Sequence, residues 1–410
     1  MSRRVVAAAS VVLLLVIVAG FAGGLAFDRY ILLRGTIVAE PAEAQNSFGV
    51  FWEAWRLVQQ NYVDQSVVTP ANLTHGAITG MLDALGDTGH TRFLSASDRK
   101  VEEDSLAGRL EGIGIEVEAR DGRTVVVAPL DESPAQKAGL LPGDVIEKVN
   151  GQDVSQLSLD EISSLIRGPA GTSVKLTILR QNTAELLDFN IVRQAVKISD
   201  VTWATVPGEK IAHIRISSFG SEADSELRTS IAQAKDAGDV SFILDLRNDP
   251  GGLLDQAVHV SSEFLDGGSV VVQQDRSGKQ EPINVEPNGV ARKEPLAVLV
   301  NHGTASAAEI VAGALQDQRR ATVIGEQTFG TGTILTEYPL SDGSAILLGV
   351  REWLTPNGHS IRRNGITPDH VVAKPLTTSS VVPLGERSMT PDQLAKSGDT
   401  QLLDAIKSLH

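Results

Sequence analysis

Apolar positions follow different patterns in successive parts of the chain, and each pattern predicts a different kind of structure. Helical spacing predicts helices over residues 51–62 and 73–85. Short apolar runs separated by turn residues fill residues 106–195, and they predict strands. From Lys210 onward, strand-like runs alternate with helical patterns such as residues 222–237. This alternation predicts an α/β core with a mostly parallel or mixed sheet.

Residues 5–27 form an uncharged apolar run of 23 residues, which is long enough to span a bilayer. Arg3 and Arg4 precede the run and predict that residues 1–4 are cytoplasmic and the remainder is extracytoplasmic. The sequence therefore predicts a single-pass transmembrane helix in the cell membrane, with residues 28–46 as a linker. A cleaved signal peptide is the alternative, although the Ala-x-Ala motif at residues 42–44 lies far beyond the apolar run.

Composition and charge narrow the class of function. A chain of 410 residues is expected to form more than one domain, and its net charge of −15 argues against nucleic acid as a partner. The chain has no cysteine, which excludes disulfides and a thiolate nucleophile. Its eight histidines are scattered without an H-x-x-x-H pair, so we expect neither a metal nor a cofactor.

The strand–turn–helix pattern around Ser306 is the first candidate for chemistry. An apolar run over Leu296–Val300 predicts a buried strand, and residues 307–318 predict a helix. Ser306 stands at the start of that helix, where backbone N–H groups and the helix dipole favour developing negative charge. Ser306 and Glu309 also form a Ser-x-x-Glu capping box, which a purely structural serine would satisfy equally well.

Two glycine-rich turns add further candidates. Gly251 and Gly252 follow a predicted strand over residues 242–246, and they allow the backbone to pass close to a ligand. His90 lies in the turn at residues 86–91. A single histidine in such a turn is more often solvated than functional, so the turn alone assigns no role.

Residues 106–195 resemble a PDZ domain of the bacterial-protease type. The resemblance rests on the run SPAQKAGLLPGDVIEKVNGQDV, which includes a type I′ hairpin signal at residues 150–151. It implies that Gly112, Ile113, Gly114 and Ile115 offer backbone N–H groups to the C-terminal carboxylate of a peptide, which adds to the sheet edge. The alternative is that these glycines only make a turn.

Several sequence blocks together resemble the carboxyl-terminal processing peptidases, which are tail-specific, S41-type serine proteases. The blocks are DLRNDPGGLL, NHGTASAAEIVAGALQD, GEQTFGTGT and LTPNGHSI…NGITPD, in that order after the PDZ-like region. The resemblance covers residues 51 to about 370. It implies a helical region at 47–105, an inserted PDZ domain at 106–195, a peptidase core at 196–375 and a C-terminal tail and helix at 376–410. It also implies substrates with exposed C-terminal tails.

The resemblance places the family nucleophile on Ser306 and its oxyanion hole on the amides of Ala307 and of Gly251 or Gly252. The family base is a lysine 25 positions after the serine, where this chain has Thr331. The glutamine that often supports this lysine is replaced by Leu335. A threonine hydroxyl cannot accept the serine proton near neutral pH, so the Ser–Lys mechanism is not available.

His90 offers another base. Its turn is similar to the block that carries the catalytic histidine in the tricorn-like branch of the S41-type proteases, whose members use a Ser–His arrangement. An imidazole with a pKa near 6.5 is a suitable general base for a serine at physiological pH. His302, four residues before Ser306, is the alternative. In the tricorn-like branch a glutamate orients this histidine, but the matching position in this chain is Arg362, which cannot take that role. Glu352 and Asp87 are the carboxylates left as the possible third member.

Two functions from different classes follow. The first is a membrane-anchored, extracytoplasmic serine endopeptidase that captures protein tails through its PDZ domain and cleaves through an acyl-enzyme. The second is a catalytically inactive pseudoprotease that acts as a PDZ-bearing scaffold or as a regulator of a partner protease. The resemblance also suggests a homodimer through the N-terminal helices and the C-terminal segment, where residues 391–409 have helical spacing.

Overall fold

The computed structural model describes residues 45–87, 90–120, 123–130, 133–141, 143–157, 159–180, 185–197, 199–374 and 380–410. The chain divides into two compact units, residues up to Ala77 and residues from Ile78 to His410. The predicted membrane span at 5–27 lies outside the described residues. Within those residues, no helix is both long enough and apolar enough to cross a bilayer.

Both predicted N-terminal helices are present and begin earlier than the apolar spacing indicates. Helix α1 spans Gln45–Asn61, and helix α2 spans Pro70–Asp83. Pro70 stands at the first position of α2, where its missing N–H would have had no intrahelical partner. In α1, Phe51 contacts the rings of Trp52 and Trp55, so the aromatic residues along this helix pack on one another.

The sheet nearest to Ser306 has six strands and is largely parallel, as the alternating pattern predicts. In spatial order its strands are β10 (Val201–Thr205), β11 (Ile211–Ile216), β12 (Ser241–Asp245), β15 (Leu296–Val300), β16 (Thr322–Gly325) and β19 (His370–Val371). Only β10 is antiparallel to its neighbour. Helices α6 (Ala223–Ala237), α7 (Leu254–Phe264) and α8 (Ala307–Asp317) bury their apolar residues in the same core.

A second sheet of the core is antiparallel and was not predicted from the sequence. Its strands are β1 (Arg92–Leu94), β13 (Ser269–Gln274), β14 (Gln280–Asn284), β17 (Thr333–Pro339) and β18 (Ala345–Leu354). Strand β1 pairs with β18, with Arg92 opposite Leu347. This pairing brings the turn that contains His90 beside residues that lie more than two hundred positions later in the chain. Helix α3 (Ala96–Leu106) follows β1, and its N-cap is Ser95.

The PDZ-like region folds as an antiparallel sheet with two short helices. Its strands are β3 (Ile115–Arg120), β4 (Arg123–Pro129), β5 (Val145–Val149), β6 (Gln152–Asp153), β7 (Ser173–Arg180) and β8 (Glu185–Val192), and its helices are α4 (Pro134–Ala138) and α5 (Leu159–Ile166). Strands β2 (Arg109–Gly112) and β9 (Gln194–Lys197) pair where the chain enters and leaves it. Asn150 and Gly151 both have positive φ, which confirms the predicted hairpin turn.

The C-terminal segment forms three short helices, α9 (Pro383–Glu386), α10 (Pro391–Ala395) and α11 (Thr400–Ser408). Helical spacing over residues 391–409 predicted one continuous pattern, whereas the structure breaks it before Asp399. Gly398 has φ 78° at this break, and the Asp399 side chain caps α11. The Asp399 carboxylate also accepts hydrogen bonds at 2.9 and 3.0 Å from the guanidinium of Arg247. Arg247 is only 1% exposed and also binds Asp245, so this contact fixes the segment to the end of β12.

Candidate active site

The turn that carries Ser306 is attached to the turn that carries Gly251 and Gly252. Because β12 and β15 are parallel neighbours, their carboxyl ends lie at the same edge of the sheet. The Thr304 hydroxyl donates to the carbonyl of Leu246 at 2.7 Å, and the Ala305 N–H donates to the carbonyl of Asp249 at 2.9 Å. These bonds hold the turn that contains the two glycines beside the start of α8, with Gly251 directly against it.

The backbone of Ser306 adopts a conformation that few non-glycine residues adopt, with φ 52° and ψ −119°. Such strain persists only where the surroundings fix it, and it is common at nucleophile turns between a strand and a helix. Here the Ser306 N–H donates to Glu309 Oε2 at 3.0 Å and to Thr331 Oγ1 at 2.9 Å. The Glu309 carboxylate thus binds the backbone N–H of Ser306, as the predicted capping box requires.

Thr331, at the position where the family resemblance predicts a lysine, supports the turn that carries Ser306. Its hydroxyl accepts from Ser306 and donates to Glu309 Oε2 at 2.7 Å, and its own N–H donates to the same oxygen at 3.0 Å. Glu309 is fully buried and also accepts from the N–H of Gly330. Thr331 is not a base, but its contacts hold the backbone of Ser306 in its strained conformation. Sequence reasoning missed this role.

The two glycines have different roles. Gly251 packs directly on Ser306, since a methyl group there would lie 2.7 Å from Ser306 Cβ. Its N–H donates to Asp249 Oδ1 at 2.8 Å, and the residue does not line the cavity beside Ser306. Of the two glycines predicted as alternative oxyanion donors, this geometry favours Gly252 over Gly251. Within the described residues, the N–H groups of Gly252 and Ala307 have no acceptor, and both residues line the cavity.

Ser306 and His90 line the same cavity, which has a volume of about 340 Å³. His302 is exposed and is not part of the cavity wall, although it is close to Ser306 in sequence. The wall is otherwise largely apolar. Its apolar residues are Leu106, Pro250, Leu253, Leu254, Ala307, Ile310, Ile334, Leu335, Leu347 and Trp353. The structure thus brings together the serine and the more distant of the two candidate histidines.

His90 is 8% exposed, and its Nδ1 lies 2.6 Å from Thr333 Oγ1. Burial is the main influence on the pKa of His90 and lowers it. The Asp87 carboxylate raises the pKa and Arg92 lowers it, and the net result is a value below the usual 6.5. The imidazole is therefore neutral at physiological pH, which is the form that a general base requires.

The two candidate carboxylates, Asp87 and Glu352, differ in whether hydrogen bonds connect them to His90. Asp87 Oδ2 accepts from Thr333 Oγ1 at 3.3 Å, so it is one hydroxyl away from His90. Glu352 lies opposite Thr333 in the pairing of β17 with β18, but its carboxylate accepts from the Ser360 hydroxyl. This geometry favours Asp87 over Glu352.

The PDZ loop has the features of a carboxylate-binding loop. Gly114 has φ 71°, and a methyl group there would lie 2.5 Å from Ser133 Cβ. The carbonyls of Ile113 and Gly114 accept from Ala135 and Leu130, whereas in the described part of the chain the N–H groups of Ile113 and Gly114 have no acceptor. Strand β3, which follows the loop, lies at an edge of its sheet and is available for a further strand.

Comparisons with known proteins agree with this architecture. Residues 210–372 match the model of peptidase family S41, and residues 125–180 match a PDZ domain model. A carboxy-terminal-processing protease of Bartonella bacilliformis is 40% identical over 333 residues, which cover 80% of this chain and 75% of that protein. The carboxyl-terminal-processing protease of Synechocystis is 38% identical over 346 residues, which cover 79% and 80%.

Structural similarity points to the same class. The photosystem II D1 C-terminal processing protease aligns with a TM-score of 0.51 and 32% identity, over 84% of this chain and 97% of that one. A putative S41 protease from Bacteroides fragilis aligns with a TM-score of 0.57 at 17% identity and supports the fold alone. The chain belongs to the carboxyl-terminal processing peptidases of family S41, a family of serine proteases.

Proposed function

We propose that this protein is a membrane-anchored, extracytoplasmic endopeptidase in which Ser306 is the nucleophile and His90 is the general base. The observation that carries this assignment is the shared cavity, which contains both side chains and is lined mainly by apolar residues. The strained backbone of Ser306 and the lowered pKa of His90 support the same roles. Thr331 is engaged with Ser306 and Glu309 and supplies no base.

The proposed reaction is acyl transfer. Ser306 Oγ attacks the carbonyl carbon of the peptide bond, and His90 accepts the hydroxyl proton as the new C–O bond forms. The C–N bond then breaks, and the imidazolium returns the proton to the leaving amine. Water then attacks the acyl carbon while His90 accepts its proton. The ester C–Oγ bond breaks, and the imidazolium returns the proton to Ser306 Oγ, which releases the carboxylic acid product and regenerates the serine hydroxyl.

The N–H groups of Gly252 and Ala307 are the proposed oxyanion donors. Both belong to the cavity wall beside Ser306, and both are free of other acceptors within the described residues. The Ala307 N–H is at the first turn of α8, where helix N–H groups have no intrahelical partner and the helix dipole favours negative charge. Such donors stabilise the tetrahedral intermediate more than the substrate.

Substrate capture is assigned to the PDZ domain. The N–H groups of Ile113 and Gly114 would bind the terminal carboxylate, and the tail would add to the edge at β3. The apolar run at residues 5–27 would hold the catalytic part at the outer face of the cell membrane. On the basis of the family resemblance, we also propose that the protein forms a homodimer through its N-terminal helices and its C-terminal segment.

Reaction of the intact protein with a fluorophosphonate probe tests the serine assignment, because an unactivated serine does not react. We expect stoichiometric labelling of Ser306. We also expect cleavage of an unstructured substrate with a free C-terminal carboxylate, and a higher KM for the same substrate with a C-terminal amide. Equal KM values for the two substrates would contradict tail capture. A protein that binds the free tail but is neither labelled nor active would instead be the PDZ-bearing scaffold.

A further inference from the structure

Thr333 lies between His90, the proposed base, and the carboxylate of Asp87. Its hydroxyl oxygen is 2.6 Å from His90 Nδ1 and 3.3 Å from Asp87 Oδ2. The side chain is 8% exposed and lines two cavities. One of these contains Ser306 and His90, and the other contains Asp87 and Glu352. Thr333 is therefore the side chain through which His90 is connected to a negative charge.

The direction of the hydroxyl proton follows from the chemistry of its two neighbours. An ionised carboxylate only accepts hydrogen bonds, so the bond with Asp87 uses the single proton of Thr333. The hydroxyl oxygen must then accept from His90 Nδ1, which requires the proton of the neutral imidazole to be on Nδ1. The lone pair of Nε2 is thereby left free to accept a proton from a serine.

The surroundings of Thr333 preserve this arrangement. Gly349 has no side chain between the two partners, and a methyl group there would lie 3.1 Å from Asp87 Oδ2 and 3.1 Å from Thr333 Cβ. The pairing of β17 with β18 shifts register next to Gly349, between Ile334 and Leu335. The Thr91 hydroxyl donates to Asp87 Oδ2 at 2.6 Å and accepts from the Gly349 N–H at 3.0 Å, which fixes the carboxylate in place.

We propose that Thr333 is a positioning residue that transmits the negative charge of Asp87 to His90 and holds the imidazole in the tautomer with its proton on Nδ1. This inference rests on the proposed function, because it requires His90 to be the base. It replaces a direct histidine–carboxylate contact by one through a hydroxyl. Thr333 is held in place by the backbone of β17, since it is the first residue of that strand.

The test compares Thr333→Val with Thr333→Ser and Thr336→Val in the full-length protein. Valine keeps the shape of threonine but loses the hydroxyl, so we expect kcat for tail-peptide hydrolysis to fall by roughly 100-fold or more with KM unchanged. Serine restores the hydroxyl and should keep kcat within about fivefold of the wild type. Thr336 is in the same strand but lines neither cavity, so its valine variant should match the wild type.

A spectroscopic readout separates positioning from loss of folding. In ¹⁵N-histidine-labelled protein, the His90 signals should show a protonated Nδ1 in the wild type and lose that signature in Thr333→Val, while the thermal midpoints stay similar. An unchanged kcat in Thr333→Val would overturn the inference and leave Ser306 and His90 standing. A proton on Nε2 in the wild type would overturn the inference together with the base assignment, because Nε2 would then have no lone pair for the serine proton. A wild type that the fluorophosphonate does not label would overturn both.

Discussion

Replacing Ser306 by alanine is expected to abolish cleavage and fluorophosphonate labelling. Removal of a serine nucleophile lowers kcat by roughly 10⁵-fold or more, and the remaining rate comes from the oxyanion donors and substrate binding. Folding should be preserved, because the contacts of Ser306 with Glu309 and Thr331 use its backbone N–H. The measurement is kcat for hydrolysis of a tail peptide, together with labelling and the thermal midpoint.

Ser225→Ala is the matched control for this variant. Ser225 is an exposed serine of α6 whose hydroxyl donates to the carbonyl of Glu222, and it does not line the cavity. Its removal should change neither kcat nor labelling. Retention of measurable labelling in Ser306→Ala would mean that the probe reacts with another residue, and the assignment of the nucleophile would then fail.

Replacing His90 by alanine is expected to cause a loss nearly as large, on the order of 10⁴- to 10⁶-fold in kcat. The physical reason is that no other described residue of the cavity wall offers a neutral nitrogen base beside Ser306. The double variant Ser306→Ala/His90→Ala should be no slower than Ser306→Ala alone, since a nucleophile and its base act as a unit.

His302→Ala distinguishes the two candidate histidines. His302 is exposed and lies outside the cavity wall, so its alanine variant should retain the activity of the wild type. If His302→Ala were inactive while His90→Ala remained active, the base would be the histidine near Ser306 in sequence. The assignment of His90 as the base, which rests on its shared cavity with Ser306, would then be wrong.

The turn that carries Ser306 could be predicted from sequence because its signals are local. The apolar run at Leu296–Val300, the small residues after it and the helical spacing from Ala307 onward identify a strand–turn–helix unit, and the structure has all three. The PDZ elements were predictable for the same reason, since Gly139 and Asn150 mark a helix end and a hairpin turn.

The partners of His90 could not be predicted, because they depend on strand pairing between distant residues. Strand β1 has only three residues, too few for a periodic pattern, and it pairs with β18 far along the chain. No local signal relates Asp87 to Thr333. Sequence reasoning therefore left Asp87 and Glu352 open as the third member and missed the hydroxyl between Asp87 and His90.

Two further details depended on buried polar contacts that sequence spacing does not reveal. The Gly251 N–H is bound by Asp249, which favours Gly252 as the predicted oxyanion donor. The helical pattern at residues 391–409 is interrupted at Gly398, which has φ 78°, and at Asp399, whose carboxylate caps α11 and pairs with the buried Arg247. In both cases a short-range pattern was correct about the type of structure, and a carboxylate decided the detail.

The most direct test of a serine activated by His90 is the pH dependence of the rate at which the fluorophosphonate labels Ser306. Only the neutral imidazole accepts a proton, and burial lowers the pKa of His90 below 6.5. The labelling rate should therefore be constant around neutral pH and fall as the pH drops through that lowered pKa. The His90→Ala variant should not show this fall in rate at acidic pH. A rate that keeps rising into the alkaline range, as expected for a lysine base, would contradict the assignment.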